Sequence, residues 1–221
     1  MRKWILFLCL VLSYSSSIAQ APGYAGKHHI LQFDGYAFPT ASRFILQEKN
    51  LDLNLRTGIG SEHVINRRLS VKILGDRFFT QQEYDYNFQR GNFRIQGWMA
   101  GLGLRTYTFN RRGNISPLGI YLQPAIHYLR FEVQDLNMRF FPNGRRFLAN
   151  YSAAAISIAL GSQRMIGNRF SYHFGVQSAL PFFVLPDRSI PEFTYIKERS
   201  IRRMRGFLAI NLHIGLGILV F

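Results

Sequence analysis

Along most of this 221-residue chain, apolar side chains recur at every second position. Successive strand residues point to opposite faces, so a period of two marks a strand with unlike faces, whereas an amphipathic helix repeats every 3.6 residues. The last segment is the clearest. From Gly206 to Phe221 the even positions are Leu208, Ile210, Leu212, Ile214, Leu216, Ile218 and Val220, and the odd ones include Asn211, His213, Gly215 and Gly217. Asn, His and two glycines make the rival reading, a terminal membrane helix, a poor span.

The same grammar recurs upstream. Leu118 to Tyr128, Phe170 to Leu180, Ala154 to Leu160, Leu51 to Ile59, Leu69 to Ile73 and Leu31 to Phe33 each set one apolar parity against Gly, Ala, Ser, Gln, His or an isolated charge. Asn92 to Phe109 is less regular: Phe93 and Ile95 share one parity, Trp98, Ala100, Leu102 and Leu104 the other. A bulge at Gly97 would reconcile them, and Pro124, which cannot donate to a ladder, predicts a second bulge. The spacing predicts eight strands. Short turns follow the second, fourth and sixth (Asn66 to Arg68, Asn110 to Asn114, Met165 to Asn168). Longer connections take the other joints (Pro39 to Asn50, Asp76 to Gly91, Gln134 to Ala149, Val184 to Arg205). Short joints at one end and long ones at the other describe an all-β, antiparallel up-and-down barrel.

The first twenty residues read differently. Arg2 and Lys3 precede an apolar run from Trp4 to Leu12, and Ser17-Ile18-Ala19 offers small residues for cleavage. That is the pattern of a secretory signal peptide, with a run too short for a span. The expected organisation is therefore a signal peptide over 1–20 and a barrel domain over 21–221. Cys9 lies within the signal, so the mature chain is expected to carry no thiol chemistry and no cysteine zinc site.

Two kinds of barrel fit an alternating pattern. A soluble, lipocalin-like barrel would line a ligand cavity with its apolar face and show water a surface rich in Lys and Glu. Here the polar face is mostly small and neutral, with isolated charges such as Asp34, Arg56, Glu62, Lys72 and Arg94. Such residues suit the filled interior of an eight-stranded barrel, and the apolar face suits lipid. Aromatics near strand ends (Phe78, Phe79, Phe131, Phe140, Phe141, Phe182 and Phe183 by the loops; Tyr107, Phe109, Phe170 and Phe221 by the turns) are expected to form interfacial girdles. The expectation is an eight-stranded transmembrane barrel of a cell outer membrane, with no open pore.

On these features the chain resembles the small outer-membrane β-barrel proteins of Gram-negative bacteria, of OmpA-transmembrane and OmpX-like size. The resemblance spans roughly Lys27 to Phe221. It includes Leu53-Asn54-Leu55 through Glu62 and Asn66-Arg67-Arg68-Leu69-Ser70, which look like mostly uncharacterised barrels of this type. It implies a structural or interaction role, recognition of the terminal Phe221 by the barrel-assembly machinery, and a possible protein partner such as a secretion or envelope complex. Phe221 departs from the pattern in falling on the parity opposite to Leu208–Val220.

Barrels of this size also include lipid A-modifying enzymes, acyl hydrolases and transferases that use a His with a Ser or an acid. Ser171 and His173 share a face at i and i+2 and are the candidate pair. They lie on the inner face by the turns, away from lipid A, which favours a hydrogen-bonded interior network. His63, His127, His173 and His213 are all expected to face inward, at different depths, without a metal-binding spacing. No cofactor is implied, and the glycines at 97, 101 and 103 read as room in a tightly packed wall.

The formal charge is +15, of which Arg2 and Lys3 contribute two, leaving +13. Export argues against a nucleic-acid partner. Arg67, Arg68, Arg111, Arg112, Arg164 and Arg169 gather at the short turns, and Arg202, Arg203 and Arg205 in the last long connection. There they are expected to meet outer-membrane lipid headgroups and lipopolysaccharide.

Overall fold

The alternation becomes a closed wall. In the computed structural model each strand pairs antiparallel with its sequence neighbours, and the last pairs with the first. The strands are β1 (His29–Ala37), β2 (Asn54–Asn66), β3 (Leu69–Tyr86), β4 (Gln89–Tyr107), β5 (Gly119–Asp135), β6 (Phe147–Ile166), β7 (Phe170–Ser189) and β8 (Asn211–Val220); a helix, α1 (Thr194–Ala209), lies between β7 and β8. The structure describes residues 28–37, 54–66, 68–86, 89–108, 118–136, 147–166, 169–189 and 194–220. The signal segment, Phe221 and the connection from Pro39 to Asn50 lie outside the described residues.

The apolar parity faces outward. Leu31, Phe33, Ile59, Ile73, Ile126, Ile158, Leu160, Leu180, Ile214 and Leu216 are each about half exposed or more on the wall. The opposite parity fills the barrel. Gly119 opens β5 at φ 113°, a conformation that side chains with a Cβ rarely adopt, which fixes glycine at the entry to that strand.

Several sequence expectations are corrected. Asp76 to Gly91 is no long loop: β3 and β4 continue as a ladder to Tyr86–Gln89. There is no bulge at Gly97, since β4 keeps one register with both neighbours. Phe93 and Ile95 take the minority parity because they point inward, at 0% exposure. Nor does Pro124 carry a bulge. Its pairing with β6 is in register, and the ladder to β4 passes from Gly103–Ala125 to Thr106–Leu122 without shifting. The register shifts lie elsewhere, two of them where β6 meets Pro181 and Pro186 of β7. A bulge accommodates a residue with no donor there.

The largest correction concerns Gly206 to Phe221, read above as one strand. The helix runs to Ala209, and β8 begins only at Asn211. Ser200, Arg203, Met204, Phe207 and Leu208 are buried. Their spacing of three, four, seven and eight is a helical stripe. Met204, Phe207 and Leu208 join one cluster with Phe78, Phe93, Ile95, Met99, Leu129, Phe131 and Tyr151. The Asn211 side chain donates to the Phe207 carbonyl at 3.2 Å, satisfying a helix-end acceptor as the chain turns into β8.

The interior therefore has three levels. A small apolar cluster of Ile30, Val64 and Leu219 lies at the turn end. A charged and polar layer lies above it, and an apolar upper chamber is filled from the loop end by α1. Phe78, Phe131 and Tyr107, expected in the girdles, point inward at 2–3% exposure, whereas Phe170 and Phe182 face outward. A helix packed inside the mouth needs apolar partners, and Phe78 and Phe131 supply them, whereas Tyr107 enters the polar layer and donates to Glu62.

Candidate functional site

The polar layer is organised around three acid–base pairings. Glu62 accepts from Gln32 Nε2 (2.7 Å), Ser70 Oγ (2.5 Å), Tyr107 Oη (2.8 Å) and an Arg105 terminal nitrogen (2.9 Å), joining β1, β2, β3 and β4 through one carboxylate. Arg105 also donates from Nε to Gln123 Oε1 (2.8 Å) and from its terminal nitrogen to Gln163 Oε1, with its guanidinium 4.1 Å from the Tyr121 ring centroid. Arg56 donates two hydrogen bonds to Asp76 Oδ2, at 3.1 and 2.7 Å, and lies 3.8 Å from the Tyr36 ring centroid. Lys72 Nζ donates to Asp34 Oδ2 at 2.7 Å, and His173 Nε2 lies 2.9 Å from the other oxygen of Asp34.

Three basic side chains (Arg56, Lys72, Arg105) thus face three acidic ones (Asp34, Glu62, Asp76), all almost completely buried. Buried charges persist only when paired and hydrogen-bonded, and this set is neutral. The surplus positive charge of the chain therefore does not reside here. Space for these groups comes from missing side chains opposite them. A Cβ at Gly215 would fall on His173 and Asp34, and one at Gly58 on the Asp76 carboxylate.

His127, His173 and His213 face inward as expected. His63 does not; it belongs to the outward parity of β2, with its Nδ1 3.4 Å from that of His29 at the turn-side rim. His213 Nε2 is 2.7 Å from Tyr121 Oη, and His127 Nε2 is 2.7 Å from Ser157 Oγ. The His173 and His213 rings are 5.2 Å apart. Among the described residues no group of three or more His, Cys, Asp or Glu is arranged to hold a metal ion.

Ser171 and His173 both point into the lumen, at 1% and 0% exposure. Ser171 Oγ makes no hydrogen bond, and the imidazole faces Asp34 instead. Of the arginines singled out above, Arg68, Arg164, Arg169, Arg202 and Arg205 are exposed. Arg203 is turned into the barrel mouth, where its guanidinium lies 3.4 Å from Thr80 Oγ1 and from the Gln81 carbonyl. Arg67, Arg111, Arg112 and Phe221 lie outside the described residues.

The outer wall carries features the alternation did not reveal. Grooves run across the strands between successive rows of outward side chains. Two are apolar, one crossing β1, β2 and β5–β8 beside Leu55, Val176 and Ile214, the other crossing β1–β3 and β6–β8 beside Phe33, Ile73 and Leu216. A third, on β2 to β6, is lined by Arg77, Arg130, Glu132 and Trp98. The sequence signal for it was present: on β5 the outward positions pass from Ile126 and Tyr128 to Arg130, Glu132 and Gln134.

These observations define a closed, eight-stranded, all-antiparallel barrel with a paired polar interior and an apolar wall. No family model and no curated protein matches the chain. In architecture it is similar to the N-terminal β-barrel domain of Pseudomonas aeruginosa OprF, with 8% identity, a TM-score of 0.42, and coverage of 87% of this chain and 96% of that one. It is similar also to Acinetobacter baumannii CarO, with 10% identity, a TM-score of 0.43, and coverage of 86% and 97%.

Proposed function

We propose that the protein is an integral outer-membrane β-barrel with a structural or interaction role, a filled interior and no catalytic activity. One observation carries this reading: the distribution of polarity is inside out relative to a soluble barrel. Isoleucine, leucine and phenylalanine cover the wall, while six paired charged side chains are sealed in the lumen. Monomeric soluble proteins rarely expose contiguous apolar patches beyond a few hundred Å². A bilayer core is the solvent such a wall requires, and closure satisfies every ladder group without an edge. Strands of 17 to 20 residues in β3 to β7 exceed the 9–11 or so needed to span. They carry the barrel beyond the membrane at the loop end, where a partner would meet it.

The non-catalytic reading is supported by the placement of Ser171 and His173, buried and without a mutual hydrogen bond, in a lumen with Ile30 packed below and α1 above. Heat-modifiable gel migration with envelope fractionation tests the membrane reading. The folded chain is expected in the outer-membrane fraction with a faster-migrating unboiled form. A mature chain fully soluble without detergent would sink it. Lipid A mass profiles from cells with and without His173→Ala are expected to be identical; an altered acyl pattern would restore the enzyme.

A further inference from the structure

We propose that the groove across β3, β4 and β5 binds the phosphorylated headgroup of a membrane glycolipid in the loop-side leaflet. The inference rests on the outer-membrane reading above. Two outward rows fixed by strand register build the groove. Arg77 pairs with Trp98 and Trp98 with Arg130; one row nearer the loops, Phe79 pairs with Gln96 and Gln96 with Glu132. Between them the floor is the row through Gly97, where a Cβ would press on the Arg130 carbonyl and on Phe131. Gly97 lies on the inward parity, so the groove comes from the spacing of the two outward rows; its volume is about 660 Å³.

Charge and position select the occupant. Arg77 and Arg130 flank Trp98 from adjacent strands, so two guanidinium groups border one aromatic platform. Arg94 lies a row further towards the loops, 5.4 Å from the Phe79 ring centroid. The groove's lining sets one carboxylate, Glu132, against two arginines, Arg77 and Arg130, and the Glu132 Oε1 accepts from Gln96 Nε2 and from Gln134 Nε2 (the latter at 2.7 Å). A phosphate monoester carries about −1.5 to −2 charges and presents oxygens that match the planar fork of arginine. Towards the turns the same strands show Ala100, Leu102 and Ile126, which suit acyl chains, and Trp98 meets Tyr128 in a tilted ring contact at 5.4 Å, at the boundary between them. The other two grooves are lined largely by apolar side chains. The groove beside Val176 also carries Arg164 and Phe174, but of the three only the β3–β5 groove sets two outward arginines on adjacent strands beside a tryptophan.

The test titrates the full-length mature barrel, folded in detergent, with bisphosphorylated lipid A, its dephosphorylated form and phosphatidylglycerol, read by native mass spectrometry. The double variant Arg77→Gln/Arg130→Gln is expected to bind lipid A at least about tenfold more weakly, as loss of charge-assisted bonds implies. Arg164→Gln/Arg169→Gln removes equal charge at the turn side, where a headgroup contact is with the opposite leaflet and not with lipid A, and is expected to stay within about twofold of the parent. Dephosphorylated lipid A and phosphatidylglycerol are expected to bind the parent no better than lipid A binds the double variant. Equal losses in both double variants, indifference to the phosphates, equal affinity for phosphatidylglycerol, or occupancy of the groove by a co-purified protein would each overturn the proposal. Heat-modifiability of every variant reads folding separately, and a detergent-independent parent would mark failure of the membrane reading instead.

Discussion

Lys72 on β3 donates to Asp34 on β1 at 2.7 Å across the lumen, with both side chains at 2% exposure or less. β1 and β3 are not neighbours in the wall, so the pair crosses β2 and ties the barrel through its interior. His173 on β7 approaches the same carboxylate from the other side.

Breaking this pair strands a charge. Asp34→Asn and Lys72→Met are each expected to lower stability by about 3–5 kcal/mol, because the remaining partner stays buried without compensation. The double variant Asp34→Asn/Lys72→Met is expected to recover part of the loss. Urea unfolding in lipid vesicles measures it; strictly additive effects of the two substitutions would show that the pair is not coupled.

A second expectation concerns the fill of the barrel. Replacing residues 191–208 with a short flexible linker removes the helix but leaves the layer held by Arg56–Asp76 and Arg105–Glu62. The variant is expected to fold and to show no steady conductance in planar bilayers, as the parent does. Phe207→Ala alone is expected to cost about 3–5 kcal/mol, because its ring fills the upper chamber. An open channel after helix removal would mean that the polar layer does not occlude the lumen.

Glycine placement gives a third contrast. At Gly75 the nearest atom to an added Cβ is the Ile59 carbonyl, at 3.9 Å, whereas at Gly215 it would collide with His173 and Asp34. Gly75→Ala is expected to be nearly neutral and Gly215→Ala to cost about 1–3 kcal/mol through overpacking. Matched denaturation curves decide it, and equal midpoints would sink the account.

The wall was legible in the sequence because one-parity apolar residues leave a strong period-two signal. The loop-end joints at 76–91 and 184–205 were not, for a physical reason. A period-two apolar pattern does not tell a lipid-facing side chain from one in the upper chamber, which is also apolar. Phe93, Ile95, Phe131 and Leu208 therefore counted for the wrong side. The helix stripe from Ser200 to Leu208 was hidden among arginines and then merged with β8, since Leu208 and Ile210 happen to extend the parity of Leu212. The inward histidines were placed correctly at 127, 173 and 213. Their partners were unreachable, because pairings such as His173 with Asp34 depend on register around the closed wall.

The outward face decides between a bilayer and water, and one substitution separates them. Ile126 on β5 is 63% exposed, two rows below Arg130 on the same outward parity. In a membrane-embedded barrel an arginine here enters the apolar band, at a depth-dependent cost of up to about 2–4 kcal/mol. On a soluble barrel the same change replaces an exposed isoleucine with a hydrated side chain, costs nothing by burial and raises solubility. Ile126→Arg is therefore expected to lower the urea midpoint in vesicles while Arg130→Ile leaves it unchanged or raises it. The inside-out distribution of polarity requires that asymmetry, and an Ile126→Arg chain as stable as the parent in vesicles would assign the wall to water.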